Sequence, residues 1–250
     1  EILILQNNQI TDVSPLSSLL NLMLLSLWNN QIIDVSPLSS LTNLETLTIG
    51  DNLITDVSPV ESLPKLTLLL IDGNPIDYFP DQALESAVRQ ALGKGPNDPL
   101  TKNDLATLIV LKPENLGISD FSGIENAVNL TTLYLDENRI TDLSPLADLT
   151  NLTEVGFSSN QITDLSPIAS LTNLTVLSID KNQISDITPL ASLTNLKSLH
   201  LHDNWITDIS PLSSLTNLES LYLGENQITD ISPLSSLTNL KVLNLEDNQI

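Results

Sequence analysis

The chain has 250 residues, with 31 Asp and Glu against 9 Lys and Arg, for a net charge of −22. That balance excludes nucleic acid as a partner, because such binding relies on Lys and Arg releasing counterions from phosphates. It disfavours an anionic membrane surface for the same reason. No apolar run is long enough to cross a bilayer, and the absence of Cys excludes a disulfide framework and thiol chemistry. Hydrophobic residues make up 41% of the chain but aromatics only 3%, with one Met, so the predicted core is aliphatic.

From the first residues onward one pattern recurs, L-x-x-L-x-x-L-x-L-x-x-N-x-I-T-D-I-S-P-L. Its Asn falls at Asn8, Asn30, Asn52 and Asn74, then at Asn138, Asn160, Asn182, Asn204, Asn226 and Asn248, with a step of 22 inside each group. That period with this Leu spacing marks a leucine-rich repeat solenoid of the α/β horseshoe class. In such a fold each repeat contacts only its neighbours and the core grows in one dimension. The chain opens at Glu1-Ile2-Leu3 and closes at Asn248-Gln249-Ile250, both inside a repeat, so the expected context is a longer protein.

Residues 171–192 show how one unit builds itself. Leu177 and Ile179 alternate with Val176, Ser178 and Asp180, the period of a short strand. Leu174, Leu177, Ile179, Ile184, Ile187 and Leu190 are predicted to point inward. Asn182 ends the strand, where its amide can serve backbone groups that the turn leaves unpaired. Repetition makes this an Asn ladder. In the return segment S-D-I-T-P-L, Thr188 is the expected cap and Pro189 the first residue of a turn. The segment is too short for a full α-helix, so the convex side is predicted to be 3-10 or irregular, with a parallel sheet on the concave side. The Asp before each turn, from Asp12 to Asp230, is read as a local backbone acceptor rather than a calcium ligand.

Between Asn74 and Asn138 the pattern breaks. Asp77-Tyr78-Phe79-Pro80 replaces the return segment and brings two aromatics to the end of the first ladder. Asp81 then caps a predicted helix with Leu84, Ala87, Val88, Ala91 and Leu92 on one face. Glu85 and Arg89 form an i,i+4 pair, and Gly93, Gly95 and Pro96 stop the helix. Thr101 and Asp104 open a second short helix carrying Leu105 and Leu108. When the repeats resume, Leu116 stands where Asn is expected and Gly123 replaces the turn proline. Pro113 cannot donate a ladder bond, which puts its strand at an edge. The predicted organisation is a first array over 1–76, a small helical cap over 77–105, and a second array over 106–250. A single solenoid with a helical insertion is the alternative.

Two outward columns of the strands vary freely from repeat to repeat, and positions released from architecture are where recognition is written. One column carries Lys112, Tyr134, Gly156, Ser178, His200, Tyr222 and Asn244. The other carries Trp28, Glu114, Asp136, Ser158, Asp180, His202 and Glu246. Tyr134, His200, His202 and Tyr222, with Trp205 just past a strand end, are read as an aromatic cluster of the kind that anchors protein interfaces. Scattered surface residues are the alternative. Asp136, Asp180 and Glu246 belong to an acidic face opposed by Lys112 and Lys181, suited to steering a basic partner or simply to solubility. His200, His202 and Asp180 share one face but fall short of the ligand count of a closed metal site, so no metal or cofactor is expected. No phosphate loop or activated nucleophile occurs, and a flat acidic face offers no desolvated pocket to split carboxylate pKa values. Catalysis is therefore not expected.

The 22-residue length and the N-x-I-x-D-I-x-P-L return segment resemble the bacterial internalin-type leucine-rich repeat over most of the chain. The resemblance implies a bacterial surface or secreted protein, and a small helical cap ahead of the repeats; here the cap-like segment lies between two arrays. The leading expectation is a non-catalytic scaffold whose concave face binds a protein ligand through Tyr134, Asp136, Asp180, His200, His202, Trp205, Tyr222 and Glu246. The runner-up is a self-associating or spacer module of a longer protein, and an accessory region of an enzyme is third.

Overall fold

The computed structural model describes residues 1–74, 79–96, 98, 100 and 102–250. Ile76, Asp77, Tyr78 and Thr101, which the sequence reading used at the break, lie outside the described residues. β1 (Ile2–Ile4), β2 (Leu24–Ser26), β3 (Thr46–Thr48) and β4 (Leu68–Leu70) form a four-stranded sheet in that order. β5 (Val110–Leu111), β6 (Thr132–Tyr134), β7 (Glu154–Gly156), β8 (Val176–Ser178), β9 (Ser198–His200), β10 (Ser220–Tyr222) and β11 (Val242–Asn244) form a seven-stranded one, again in chain order. Every pairing is parallel and joins residue n to residue n + 22. The sequence period is thus the sheet register itself, and the fold is a leucine-rich repeat solenoid.

Contacts divide the chain into two compact units, Glu1–Asp77 with Lys94–Asp104, and Tyr78–Gly93 with Leu105–Ile250. The stretch 77–105 is therefore shared between them. α2 (Gln82–Ala91) groups with the second unit and packs against β5 there. Asp81 caps it by accepting the N–H groups of Ala83 and Leu84 at 2.9 and 3.2 Å, and Glu85 pairs with Arg89 at 2.6 Å. Leu84 and Val88 are fully buried, whereas Ala91, expected on the same face, is exposed. The helix runs out at its last turn, before Gly93 at φ 66°. Phe79 is buried and belongs to this second unit as well. The short α3 (Lys102–Leu105) follows.

β5 is the edge strand of its sheet, as the proline two residues beyond it requires. With α2 against it, Leu111 is only 3% exposed, while Leu243 in β11, the opposite edge, is 45% exposed. In the layers between, Leu133, Val155, Leu177, Leu199 and Leu221 are closed to solvent. The six inward positions expected of residues 171–192 are likewise buried. All three Phe residues are buried too, with the Phe121 and Phe157 rings 5.4 Å apart between centroids.

Each buried ladder Asn ties three segments together. The Asn182 amide donates to the carbonyls of Ile179 and of Phe157 one repeat back, at 3.1 and 3.0 Å, while its oxygen accepts the Ile162 N–H at 2.9 Å. The same set recurs at Asn52, Asn160 and Asn204. A second, exposed ladder runs beside it, in which Asn151, Asn173, Asn195 and Asn217 each donate to a carbonyl 23 residues earlier.

On the convex side the return segments form single 3-10 turns, such as Ser166–Ile168 and Thr188–Ser192, with α1 (Ser58–Glu61) as one α-helical turn in the same place. Thr188 does not cap its turn. It is already inside it, and the turn is entered at Ile187 without any side-chain cap. Asp186 does that work from two residues ahead, accepting the Thr188 N–H at 2.8 Å. All nine recurrent aspartates make this bond, at 2.7 to 2.9 Å. In most repeats the Ser hydroxyl returns to the second carboxylate oxygen, as Ser166 does to Asp164 at 2.7 Å. Gly123, standing where Pro is expected, enters its turn at φ 98°. Among the described residues no helix is long and apolar enough to cross a membrane.

Candidate ligand-binding face

Because each strand buries its central residue, the residues on either side point away from the core. In the second unit these positions bring His200 and Tyr222 into direct register, and their rings stack with centroids 4.5 Å apart and planes 28° apart. The His200 Nε2 lies 3.0 Å from the Ser198 hydroxyl and its Nδ1 3.9 Å from the Asp180 carboxylate. Asp180 also accepts the backbone N–H of His202 at 2.8 Å, and the His202 Nε2 stands 3.5 Å from Glu225. Asp180, His200, His202 and Tyr222, with Ser158, Asn244 and Glu246, line an open depression of about 430 Å³.

Tyr134 is not part of this group, contrary to the cluster read from the sequence. It sits on β6 and His200 on β9, with β7 and β8 between. Three strand spacings of about 4.8 Å separate them. One repeat advances one layer, so residues three periods apart cannot touch. Tyr134 instead has the Lys112 ammonium 4.4 Å from its ring centroid and its hydroxyl 3.5 Å from Glu154. Burial, reinforced by the charges of Glu154 and Asp136, pushes its phenol pKa up. Asp136 accepts the Ser158 N–H at 2.6 Å. Burial raises its pKa against the opposing effect of that bond, with further help from Glu114, Asp180 and Glu137. Trp205 is 52% exposed. Its backbone N–H donates to Ile184 in the loop past the strand. Among the described residues no three His, Asp or Glu side chains converge as metal ligands. His200 turns to Asp180 and Tyr222, and His202 turns to Glu225.

Two features of this face escaped the sequence reading. The first is the glycines of the outward columns, which serve as floors for the ring one repeat earlier. A Cβ on Gly156 would collide with the Tyr134 ring, and one on Gly50 with the Trp28 ring. The signal was present as spacing, since Trp28 and Gly50, Tyr134 and Gly156, and His202 and Gly224 are each 22 apart. The second is backbone conformation. The residue before each ladder Asn is left-handed, with φ of 49° to 60° at nine non-glycine positions including Asp51, Glu137, Lys181, Asp203, Glu225 and Asp247, and 83° at Gly73. Much of the acidity at the strand exits thus sits on a turn that disfavours most side chains.

Against known proteins, the profile of the family described as "Leucine Rich repeats (2 copies)" matches residues 21–62, 128–170, 150–192, 194–235 and 216–250. A comparison with curated protein sequences gives no match. Among solved structures, the internalin InlF of Listeria monocytogenes is 37% identical with a TM-score of 0.57, covering 100% of this chain and 68% of its own. Internalin C2 of the same organism is 37% identical with a TM-score of 0.50, covering 87% of this chain and 78% of its own. A leucine-rich repeat protein of Leptospira interrogans is 28% identical with a TM-score of 0.53, covering 99% and 61%. A repeat fold of this kind is a protein-interaction scaffold. The chain belongs to the internalin-like family of bacterial leucine-rich repeat proteins.

Proposed function

We propose that the chain is a non-catalytic scaffold of a bacterial surface or secreted protein, and that it binds a protein ligand on the concave strand face of its second array. The observation that carries this reading is the His200–Tyr222 stack at 4.5 Å beside Asp180, His202 and Glu246, in an open depression whose side chains take no part in the Asn ladder beneath. Half-buried aromatics with a polar rim are what a protein interface uses as anchors. The acidic surroundings favour a basic ligand, drawn in by the field of the face. In this reading the arrays are 1–76 and 106–250, with 77–105 as the helical cap. The relatives support the bacterial, extracellular setting.

The test is a triple variant, Tyr134→Ala with His200→Ala and Tyr222→Ala. Capture of the protein ligand should be lost while the melting temperature stays within a few degrees of wild type. Unchanged capture would remove the assignment. The self-associating spacer reading draws on the first array, where Leu68 and Leu70 are 45% and 36% exposed on the strand face. Light scattering over a hundredfold range of concentration decides it, since a constant monomer contradicts self-association.

A further inference from the structure

Each inner strand of the second sheet bonds to the strand before it through a fixed set of backbone groups. At β8 the N–H groups of Thr175 and Val176 reach the Thr153 carbonyl at 2.8 and 3.2 Å. The carbonyls of Ser178 and Asp180 accept the Phe157 and Ser159 N–H groups, both at 2.8 Å. Three periods earlier the same groups are the N–H of Ile109 and Val110 and the carbonyls of Lys112 and Glu114, along the outer side of β5. Among the described residues none of these four groups has a hydrogen-bond partner.

The layer that would supply those partners holds α2 instead, since 22 residues before Val110 stands Val88. The helix closes the core with Leu84 and Val88 but leaves the sheet edge open. Ala87 is half-buried and Ala91 exposed, and Val110 and Leu116 are each 48% exposed. Between helix and strand lies an open groove of about 430 Å³, bordered by Ala87, Gln90 and Ala91 on one side and by Val110, Lys112 and Glu114 on the other. A row of free donors and acceptors beside a helix selects an extended chain, which adds to the sheet as a further strand. A helix could not use them, because its own backbone groups are bonded internally. The free groups are those that a preceding parallel strand uses. Its residues level with Leu111 and Pro113 would turn toward Ala87 and Ala91, where there is room for small side chains. Those level with Lys112 and Glu114 would stand on the outer face, where opposite charges across neighbouring strands are favourable.

We propose that the groove between α2 and the free edge of β5 docks an extended segment of a partner protein as a parallel strand, with the pattern small–acidic–small–basic. The groove lies four layers from His200, so it is tested independently of the strand-face reading. The probe is the peptide acetyl-Thr-Ala-Glu-Ala-Lys-Thr-amide, titrated into the chain while backbone amide resonances are recorded. Saturable shifts at Ala91, Val110 and Lys112 are expected. Methylating the backbone nitrogens of both alanines removes the donors turned to β5 and should weaken binding at least about tenfold. Exchanging the Glu and Lys of the peptide should weaken it at least about threefold. Ala91→Trp fills the groove from an exposed helix position, leaves the core untouched, and should abolish the shifts. Absence of saturable shifts, equal binding of either altered peptide, or shifts that persist in Ala91→Trp overturns the proposal. So does light scattering in which the wild type assembles and Ala91→Trp stays a monomer, because the occupant is then a second copy of this chain.

Discussion

The two sheets share one architecture and differ in what they show to solvent. In β1–β4 and the residues just past them the outward columns carry Ile, Leu, Ser, Thr, Gln6, Trp28 and Gly50, with Asp72 the one charge among them. In β5–β11 the same columns carry Lys112, Glu114, Asp136, Glu154, Asp180, two His and Glu246. Beneath both run the same n to n + 22 register and the same Asn ladder. The difference teaches that stability and recognition are written on separate sets of positions, so one can change while the other is held.

The most damaging way to probe that separation is at the ladder. Asn182→Ala leaves a buried N–H and two buried carbonyls without their partner, at a cost of roughly 4 kcal/mol. Asn52→Ala should cost about the same in the first array, because its bonds are the same; chemical denaturation of both variants checks it. Costs that differ severalfold would mean that the arrays are not built alike.

A smaller effect is expected where the face meets the scaffold. A Cβ at Gly50 would meet both the Trp28 ring and the Asp72 carbonyl, so Gly50→Ala should lift the ring off its floor, costing about 2–3 kcal/mol and moving part of the tryptophan emission to longer wavelength. An unchanged spectrum would contradict the packing of that ring.

Acid titration separates the two sides by sign. Asp12, Asp56, Asp164, Asp186 and Asp230 are held below the usual aspartate range by the hydroxyl and backbone N–H of the Ser or Thr that follows. A lowered folded-state pKa stabilises the fold above the unfolded value of about 4 and ceases to do so as pH falls through the folded value. Asp136 is opposite, since its pKa is raised, and its contribution is lost as pH rises through the folded value. Melting temperature should therefore fall below about pH 4, and Asp136→Asn should raise it at pH 7 with the gain fading in acid. A destabilising Asp136→Asn at pH 7 would contradict the burial of that carboxylate.

The mildest change is Lys181→Asn. Its left-handed φ of 53° suits Asn better than Lys, so a gain of about 0.5 kcal/mol is expected. A loss would show that the Lys181 side chain contributes more than its backbone costs.

What the sequence made legible follows the same division. Asn182, Asp186 and the inward Leu and Ile could be read because each does one job at one spacing, and repetition exposes the job. Asp81 and the Glu85–Arg89 pair could be read from local helix chemistry. Thr188 is not the cap because the capping acceptor stands two residues earlier, on Asp186, and the Asp pattern alone shows a local acceptor without showing that it serves the turn entry. Grouping Tyr134 with His200 confused a shared column with a shared layer. The left-handed Glu137 and Lys181 could not be read, since neither side chain announces that conformation. The glycines beneath the rings could have been read, had the 22-residue step been followed across residue types.

The measurement that bears most directly on the separation of face from scaffold is hydroxyl-radical footprinting with and without the captured protein ligand. Protection of His200, His202 and Tyr222, with Met23 and Trp28 unchanged, is the predicted result. Protection of Met23 and Trp28 with Tyr222 unchanged would place recognition on the first array and contradict the account.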